Sequence, residues 1–295
     1  MRRILSHYKL PPNHKFRKPD RSRRFSFSPK LISFIIPTYY RLDLLEKCIR
    51  SIHQVCMGKR HRSMPYEIIV VEDGGPRKIC NELQNLSKSM GFKLVIQERN
   101  MGYTKAVNEG LAYAEGDLII LLNDDIVFDQ EDWLDHTLEV FGLHPKIGVM
   151  GFRLLYPNRE IQHGGMYYIG GLQLLGHKYW RNPENNPEAN KVLRTVAVTG
   201  AVLAIRREVI EDIGLLSEEF VMLCSDTDYC LRAHTKGWMV VYNGRSYAIH
   251  HESRTRGQME LDPNDPIHDI QRRDLIRFQE KWAAALANFH RNGQI

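Results

Sequence analysis

The sequence predicts an α/β fold with a mostly parallel, doubly wound central sheet. Short, continuously apolar segments alternate with segments of helical periodicity, in the order β-α-β-α-β-α-β over about 95 residues. The fourth apolar segment, 118–122, contains no polar residue, which is typical of a strand buried on both faces of a parallel sheet. Because a β-α-β order joins parallel strands by crossovers, these two observations together predict the fold class.

The elements of the first half follow from apolar runs, helical periodicity and turn residues. We predict strands at 31–37, 67–71, 92–97 and 117–122, with Pro37 ending the first and the turn 72–75 following the second. Helices are predicted over 77–90 and 103–115. A further helix is predicted after the first strand, where apolar residues recur at helical spacing: Leu44, Leu45, Cys48, Ile49, Ile52 and Val55.

The second half is less regular. Helices are predicted at 133–141, 206–213 and 226–236, and strands at 147–152, 238–242 and 195–205, the last interrupted at Gly200. Residues 156–192 are rich in Gly, Asn, Pro and aromatic residues, so long loops with short strands are expected there. We predict one continuous domain over 31–257, followed by a C-terminal helical extension over 258–295 whose helix covers 267–289.

Residues 1–30 form a separate, strongly basic arm. They contain ten Lys or Arg residues and one Asp, a net charge of +9; since the whole chain carries +6, the remaining 265 residues carry −3. Several prolines and the lack of an apolar stripe predict an extended arm, and no apolar stretch in it is typical of a secretory signal. Contact with anionic lipid head groups, nucleic acid or a partner chain fits this charge, as does a solvated tail.

The composition limits the class of protein. The apolar content of 43% is sufficient for a sizeable core, and no stretch approaches the ~20 apolar residues that span a bilayer. The five cysteines are an odd number without a CxxC pair. A reducing cytoplasm therefore fits better than secretion.

Two adjacent carboxylates directly follow the fourth predicted strand, in the run Asn123-Asp124-Asp125. Ligands of open α/β sheets bind beyond the carboxyl ends of the strands. Neighbouring like charges repel each other unless a cation lies close, and hard divalent metals prefer carboxylate oxygens. The run therefore indicates a metal site; the alternative is a solvated turn or a helix N-cap before Trp133.

Further acidic and imidazole groups stand at strand ends or loop starts, namely Asp73, Asp226 with Asp228, and His250 with His251. Each has a simple structural alternative: a turn former, a helix N-cap or a satisfied core histidine, respectively. Together on one parallel sheet they indicate an acidic cleft with a metal ion. In such a cleft a separate carboxylate is a natural general base.

Eight short motifs follow one another in a characteristic order along residues 33–257. They are Ile36-Pro37-Thr38-Tyr39, Ile69-Val70-Val71-Glu72-Asp73-Gly74, Asn100-Met101-Gly102-Tyr103 through Asn108-Glu109-Gly110, Leu121-Leu122-Asn123-Asp124-Asp125, Tyr156-Pro157 with Ile161-Gln162-His163-Gly164-Gly165, Val198-Thr199-Gly200-Ala201, Asp226-Thr227-Asp228-Tyr229-Cys230-Leu231-Arg232 and His250-His251-Glu252-Ser253-Arg254-Thr255-Arg256-Gly257. In this order they resemble the inverting nucleotide-sugar glycosyltransferases of family 2, which have the GT-A fold. The later motifs are most similar to the rhamnosyltransferase-like branch.

The resemblance implies a site for a nucleotide-diphosphate sugar donor. Asp73 corresponds to the carboxylate that accepts a hydrogen bond from the nucleobase, and the Asn100–Gly102 turn would let the backbone approach the nucleotide. Asp124 would support the metal or the ribose, and Gly200 would lie beside the donor sugar. The other residues expected at the donor are Pro37, Thr38, Tyr39, Asn123 and Lys105, the last with a surface lysine as its alternative.

The resemblance also implies a divalent metal, Mn²⁺ or Mg²⁺. Asp125 corresponds to the last position of the family's DxD motif, the usual metal ligand. Asn123 replaces the first Asp of that motif, which makes the local charge one lower. His250 corresponds to the position that completes the metal or diphosphate site in some relatives, with His251 as the neighbouring alternative.

Asp226 is the expected catalytic base, which takes the proton of the acceptor hydroxyl as that oxygen attacks the anomeric carbon. Asp228 is expected to cap or brace the helix and Arg232 to pair with an acidic neighbour, and Ser225 stands where family members often carry an acidic or amide residue. Three basic residues, His163, Arg254 and Arg256, are candidates for contact with donor or acceptor phosphate, or are simply solvated.

The expected function is therefore metal-dependent, inverting sugar transfer in glycan or polysaccharide biosynthesis. The acceptor is a glycan, a lipid-linked molecule or a protein; no nucleic-acid partner is expected, and the location is cytoplasmic, with contact of residues 1–30 to the inner face of a membrane as a hypothesis. The alternative is a catalytically inactive nucleotide-binding or scaffold protein of the same fold. A sugar-phosphate nucleotidyltransferase is disfavoured, because no Gly-rich basic loop follows the first strand.

Overall fold

The computed structural model describes residues 26–57, 64–172, 174–251 and 266–291. Most of the predicted basic arm and the segment that contains Arg254 and Arg256 lie outside these residues. Within them the chain forms seven helices: α1 (Leu42–Cys56), α2 (Arg77–Met90), α3 (Tyr103–Tyr113), α4 (Trp133–Phe141), α5 (Arg207–Ile213), α6 (Ser225–Thr235) and α7 (Pro266–Arg291).

The described residues also form twelve strands. These are β1 (Ile32–Thr38), β2 (Tyr66–Glu72), β3 (Lys93–Ile96), β4 (Leu118–Leu122), β5 (Ile126–Val127), β6 (Ile147–Leu155), β7 (Ile161–His163), β8 (Met166–Ile169), β9 (Leu174–His177), β10 (Val192–Arg194), β11 (Val202–Arg206) and β12 (Met239–His250). Strands β8 and β9 form a separate two-stranded sheet, and the others join one central sheet.

The central sheet has the order β3-β2-β1-β4-β11-β6-β12-β10, with β5 on β12 and β7 on β6. Strands β1 to β4 pair in parallel, β11 inserts antiparallel between β4 and β6, and β12 pairs parallel to β6. Six of the eight strands in this order therefore run in one direction, and β10 and β11 run against them. The mostly parallel sheet predicted from the sequence is confirmed.

The chain leaves β1 toward β2 on one side and returns to β4 on the other, so the order of connections reverses between β1 and β4. At such a switch point the loops beyond the carboxyl ends of the two strands separate and leave a crevice, which is where open α/β sheets bind ligands. Thr38 ends β1 and Asn123-Asp124-Asp125 follows β4, so the topology brings these residues to the crevice.

Alternate side chains of the strands enter two apolar layers. Phe34 and Ile36 of β1 pack with residues of α1, α2 and α4 on one face, whereas Ile35 packs with residues of α3, α5, α6 and α7 on the other. Burial of each such side chain is worth about 1.5–3 kcal/mol. Helix α7 contributes Phe278, Trp282, Leu286 and Phe289, which are spaced by three or four residues and buried on one helix face.

Three predicted strands differ from the observed ones by more than a residue at one end, and the simplest case is β6, which continues from the predicted end at 152 to Leu155. Of the predicted strand 195–205, only residues from Val202 onward pair with neighbouring strands, as part of β11; ahead of them, the carbonyls of Thr195 and Val196 accept hydrogen bonds from the ring of His234. The predicted strand 238–242 continues to His250. Its polar residues after Tyr242 look like a turn, but they form a bulge opposite β6, in which buried Asn243 donates a hydrogen bond to Ser246.

In the part of the chain that the structure describes, no helix combines the length and the apolar character needed to cross a bilayer.

Candidate functional site

A hydrogen bond joins the carboxyl ends of the two strands that border the crevice. The hydroxyl of Thr38 on β1 donates to Oδ2 of Asp124 after β4, over 2.6 Å. Burial, together with the charge of Asp125, raises the pKa of Asp124 to about 7. The site therefore contains a carboxyl group that readily carries a proton at neutral pH.

Asp125 faces the imidazole of His250, the last residue of β12. Nε2 of His250 lies 3.0 Å from Oδ1 of Asp125, yet this oxygen is buried and has no hydrogen-bond partner among the described residues. Asp125 is thus a carboxylate whose buried oxygen needs a cation or a donor.

The other ring nitrogen of His250 assigns its tautomer. Nδ1 lies 2.7 Å from Oε1 of Gln162, so in the neutral ring the N–H is on Nδ1, where it donates to Gln162, and the lone pair is on Nε2. The amide of Asn123, 3.4 Å from Nε2, is placed to donate to this lone pair. The Nε2 lone pair and Oδ1 of Asp125 consequently face one another, as metal ligands held by outer hydrogen bonds do.

These two ligands fit a divalent metal that takes its remaining ligands from elsewhere. Among the described ranges, no group of three or more His, Cys, Asp or Glu side chains has metal-binding geometry. Mg²⁺ and similar hard cations are commonly held by one or two carboxylates together with water and substrate phosphates. The orphaned Oδ1 of Asp125 meets that description, and the imidazole Nε2 of His250 favours a transition-metal ion such as Mn²⁺.

Asp73 fastens the loop after β3 to the end of β2. Its two carboxylate oxygens accept the backbone N–H groups of Met101 at 2.6 Å and Gly102 at 2.9 Å. Burial nevertheless raises the pKa of Asp73. Gly102 has φ +87°, and a Cβ there would lie 2.6 Å from Val221, so only glycine fits this turn. Each oxygen of Asp73 keeps a second lone pair for a ligand.

Asp226 lies in the first turn of α6 and is held by two backbone amides. Oδ2 accepts the N–H of Gly200 over 2.6 Å, and Oδ1 accepts that of Thr227 over 2.7 Å. Burial raises the pKa of Asp226 even though these bonds act to lower it. A Cβ at Gly200 would lie 2.9 Å from the hydroxyl oxygen of Tyr103, which itself donates to the carbonyl of Gly200.

The turn at Gly200 connects Asp226 to the acidic run. The carbonyl of Ala201 accepts the N–H of Asn123 over 3.0 Å, while the neighbouring Gly200 is bonded to Asp226. On the opposite side, the N–H of Asp73 donates to the carbonyl of Thr38 over 3.1 Å. Short hydrogen-bonded links therefore bring Asp73, the acidic run and Asp226 to one edge of the sheet.

Other residues predicted for the site have varied surroundings. Lys105 forms a surface ion pair of 3.9 Å with Glu218, Asn100 is exposed, and Tyr39 packs edge-on against Tyr40 with ring centroids 4.1 Å apart. His163 is fully buried, with its Nδ1 3.2 Å from Nδ1 of His177. Asp228 and Arg232 form the expected brace at 2.8 Å.

Several residues that act on this site were not predicted from the sequence. Gln162 orients His250 and Tyr103 bonds the Gly200 turn. The charge of Arg41 lowers the pKa of both Asp124 and Asp125, and His177 acts in the same way on Asp226. Gln162 and Tyr103 lie within the ordered motifs, which were the sequence signal that could have identified them. Arg41 and His177 lie outside those motifs, and no sequence signal points to them.

Comparison with known proteins finds relatives over most of the chain. The sequence model of the family described as glycosyl transferase family 2 matches residues 33–214. The O-antigen biosynthesis protein RfbC of Myxococcus xanthus is 29% identical over 252 residues, which make up 83% of this chain and 19% of that protein. The chain thus spans about a fifth of the length of this curated relative.

Two solved structures share the fold. GalNAc-T7, crystallised with UDP, GalNAc and Mn²⁺, superposes with a TM-score of 0.59 at 17% identity over 75% of this chain and 43% of its own. The mannosyltransferase PcManGT from Pyrobaculum calidifontis, in complex with GDP-Man and Mn²⁺, gives 0.55 at 14% identity over 100% of this chain and 81% of its own. The predicted GT-A fold is confirmed.

The raised pKa of Asp124 makes stability depend on pH. In the unfolded chain this carboxyl has its ordinary pKa of 3.8, whereas in the folded protein its pKa is about 7, so between these values the folded protein holds a proton that the unfolded chain has released. The free energy of unfolding therefore falls as pH rises through this window. We expect Asp124→Asn to stabilise the metal-free protein at pH 8 by on the order of 1–3 kcal/mol.

Urea unfolding at pH 5 and pH 8 in the presence of a chelator measures this effect. Asp269→Asn, which removes an exposed carboxylate from α7, is the control. It should change the free energy of unfolding by no more than about 0.5 kcal/mol at either pH. A lower stability of Asp124→Asn at pH 8 would contradict the prediction.

Proposed function

The chain belongs to glycosyl transferase family 2, and we propose that it catalyses the inverting transfer of a sugar from a nucleotide-diphosphate donor to an acceptor hydroxyl. The observation that carries this proposal is the pairing of an orphaned metal-ligand oxygen on Asp125 with a separate, amide-held carboxylate on Asp226. These two groups match the two tasks of the reaction, which are stabilising a leaving diphosphate and removing a proton from the acceptor.

The donor nucleotide would occupy the crevice beside β1 and β2. We propose that Asp73 accepts a hydrogen bond from the base, and that Asn123 and Asp124 support the ribose or the metal. Gly200 would lie beside the donor sugar. The further contacts proposed are Pro37, Thr38, Tyr39, Asn100, Gly102 and Lys105.

Asp125 and His250 would hold a Mn²⁺ or Mg²⁺ ion. The support is the lone pair of His250 Nε2 directed at the unpaired Oδ1 of Asp125, with Gln162 fixing the ring. A bound divalent metal supplies positive charge that neutralises the diphosphate as it leaves. The Mn²⁺ in the structures of GalNAc-T7 and PcManGT supports the choice of metal.

Asp226 would act as the general base. Burial raises its pKa, so its affinity for a proton exceeds that of an ordinary carboxylate, while the N–H groups of Gly200 and Thr227 hold it in place. The acceptor oxygen attacks the anomeric carbon on the face opposite the diphosphate, and its proton passes to Asp226 as the bond forms. Such a base contributes about 10²–10⁴-fold to the rate.

We propose a glycan or polysaccharide precursor as the acceptor, free, lipid-linked or attached to protein. The similarity to an O-antigen biosynthesis protein supports this class. The alternative, an inactive nucleotide-binding or scaffold protein, is not favoured, because Asp73, Asp125 and Asp226 are all present.

We further propose that the domain works in the cytoplasm and that residues 1–30 contact the inner face of a membrane. The support is the ten Lys or Arg residues of this arm against one Asp, together with five free cysteines. Each basic residue near an anionic surface contributes about 1 kcal/mol.

Replacing the proposed base tests the reaction. We expect Asp226→Asn to lower kcat by at least about 10²-fold, because the amide still accepts the N–H of Gly200 but takes up no proton. Nucleotide affinity should stay within about threefold. The measurement is sugar transfer and donor hydrolysis over a panel of UDP-, GDP- and dTDP-sugars, followed by acceptor profiling with the active donor, with Asp269→Asn as control. Full activity of Asp226→Asn would remove the assignment.

Replacing the proposed metal ligand tests the metal site. We expect His250→Gln to weaken Mn²⁺-dependent binding of the preferred nucleoside diphosphate by at least about tenfold, as loss of a metal-site residue generally does. His251→Gln is the matched control and should bind normally. Calorimetry with and without Mn²⁺ measures both. Equal effects of the two substitutions on nucleotide binding, or binding that is independent of Mn²⁺, would contradict the assignment of His250 as a metal ligand.

Deleting residues 1–30 tests the arm. We expect the full chain to sediment with anionic vesicles and the shortened chain to bind them at least about tenfold more weakly, since the deletion removes ten basic residues. Neutral vesicles should bind neither protein. Unchanged partition after the deletion would exclude this role.

A further inference from the structure

A buried carboxylate in the middle of α7 has all its hydrogen-bond partners in another segment. Asp274 is 2% exposed, and its Oδ2 accepts three successive backbone N–H groups, from Val221 at 3.1 Å, Met222 at 2.8 Å and Leu223 at 2.9 Å. Successive amides converging on one anion form a strong, charge-assisted contact. Because Asp274 lies well inside α7, it caps neither end of its own helix.

The segment that Asp274 holds leads directly into the helix of the proposed base. Cys224, the next residue, has φ +66°, a left-handed conformation that turns the chain into α6. Asp226 follows in the first turn of that helix. The direction in which Asp226 leaves the backbone therefore depends on where residues 221–223 are held.

The same segment also touches the nucleotide side of the crevice. The carbonyl of Val221 accepts the N–H of Thr104 over 3.3 Å, and the side chain of Val221 occupies the space beside Gly102. Gly102 is independently fixed by Asp73. Movement of the segment would therefore affect Asp226 more than it affects the nucleotide loop.

A second contact from α7 holds the chain on the other side of Asp226. The indole N–H of Trp282 donates to Oδ1 of buried Asp228 over 2.8 Å, and Nζ of Lys281 lies 2.8 Å from the same oxygen. Arg232 binds the other oxygen of Asp228. Asp226 thus lies between two sites that are hydrogen-bonded to side chains of α7, namely residues 221–223 and residue 228.

We propose that α7 is the positioning element of the catalytic base, acting through Asp274 on the segment before Asp226 and through Trp282 on Asp228 after it. The inference rests on the proposed function of Asp226. Residues beyond 214 lie outside the family match, so this role belongs to the part of the chain that the family model does not cover.

The ionisable groups that face Asp226 come from several elements. They are Tyr103 on α3, His177 on β9, and Cys224 and Cys230 at the start of α6 and within it. None of them is altered by substitutions in α7. A shift in the pH dependence of turnover in such variants would therefore report a change in the surroundings of Asp226.

The test compares Asp274→Asn and Trp282→Phe with wild type and with Asp269→Asn, an exposed position on the same helix. Asn is uncharged and has a single acceptor oxygen for the amides of 221–223, and its NH₂ group turns toward the N–H of Val221, which lies close to both oxygens of Asp274; Phe removes the N–H that binds Asp228. We expect kcat to fall about 10–100-fold for Asp274→Asn and about 3–10-fold for Trp282→Phe, since small displacements of a catalytic group have effects of this size. Nucleotide affinity should remain within about threefold of wild type.

The acid limb of the kcat profile of the variants should move to lower pH, because water that enters beside a loosened Asp226 reduces the effect of burial. Urea unfolding establishes that each variant is folded. If Asp274→Asn does not fold, the kcat and nucleotide affinity of Trp282→Phe test the inference by themselves. Folded variants with kcat within twofold of wild type, or with the loss in nucleotide affinity instead, would overturn the inference. Absence of transfer by wild type would instead overturn the proposed function.

Discussion

Repulsion between the carboxylates of Asp124 and Asp125, held side by side at the end of a buried strand, is the constraint around which the site is arranged. Several neighbours reduce its cost. Thr38 donates to Asp124, which also readily takes a proton, and His250 lies against Asp125. One oxygen of Asp125 is nevertheless left without a donor. The cation that we propose for this site would balance this concentration of negative charge.

Hydrogen bonds to the backbone connect the acidic run to the other residues of the crevice. The turn at Gly200 and Ala201 is bonded to Asp226 on one side and to Asn123 on the other, so it connects the proposed base to the segment that leads into the proposed metal ligand Asp125. Asp73 serves the nucleotide side in the same way, through the amides of Met101 and Gly102. Carboxylates thus have two uses here: some face the crevice, and others, such as Asp274, organise the loops that form it.

The sequence predicted most of the architecture because each strand and helix of the first half has a clear local signature. The ordered motifs also identified the family, and the match over residues 33–214 confirms it. The rhamnosyltransferase-like branch stays a prediction. Two strands depart from the prediction where polar side chains bind the backbone or each other: the ring of His234 bonds the carbonyls of Thr195 and Val196, and Asn243 donates to Ser246 in a bulge whose residues resemble a turn. Neither contact has a signal in the local sequence.

What the sequence determined by itself was the class of fold, the family and the identity of the acidic and imidazole candidates, since these depend on periodicity and on the order of short motifs. The tertiary structure decided how those candidates are held. The tautomer of His250 depends on Gln162, 88 residues away, and the setting of Asp226 depends on Gly200 and on α7. Hydrogen bonds between distant segments form only when packing brings them together, so no local pattern encodes them.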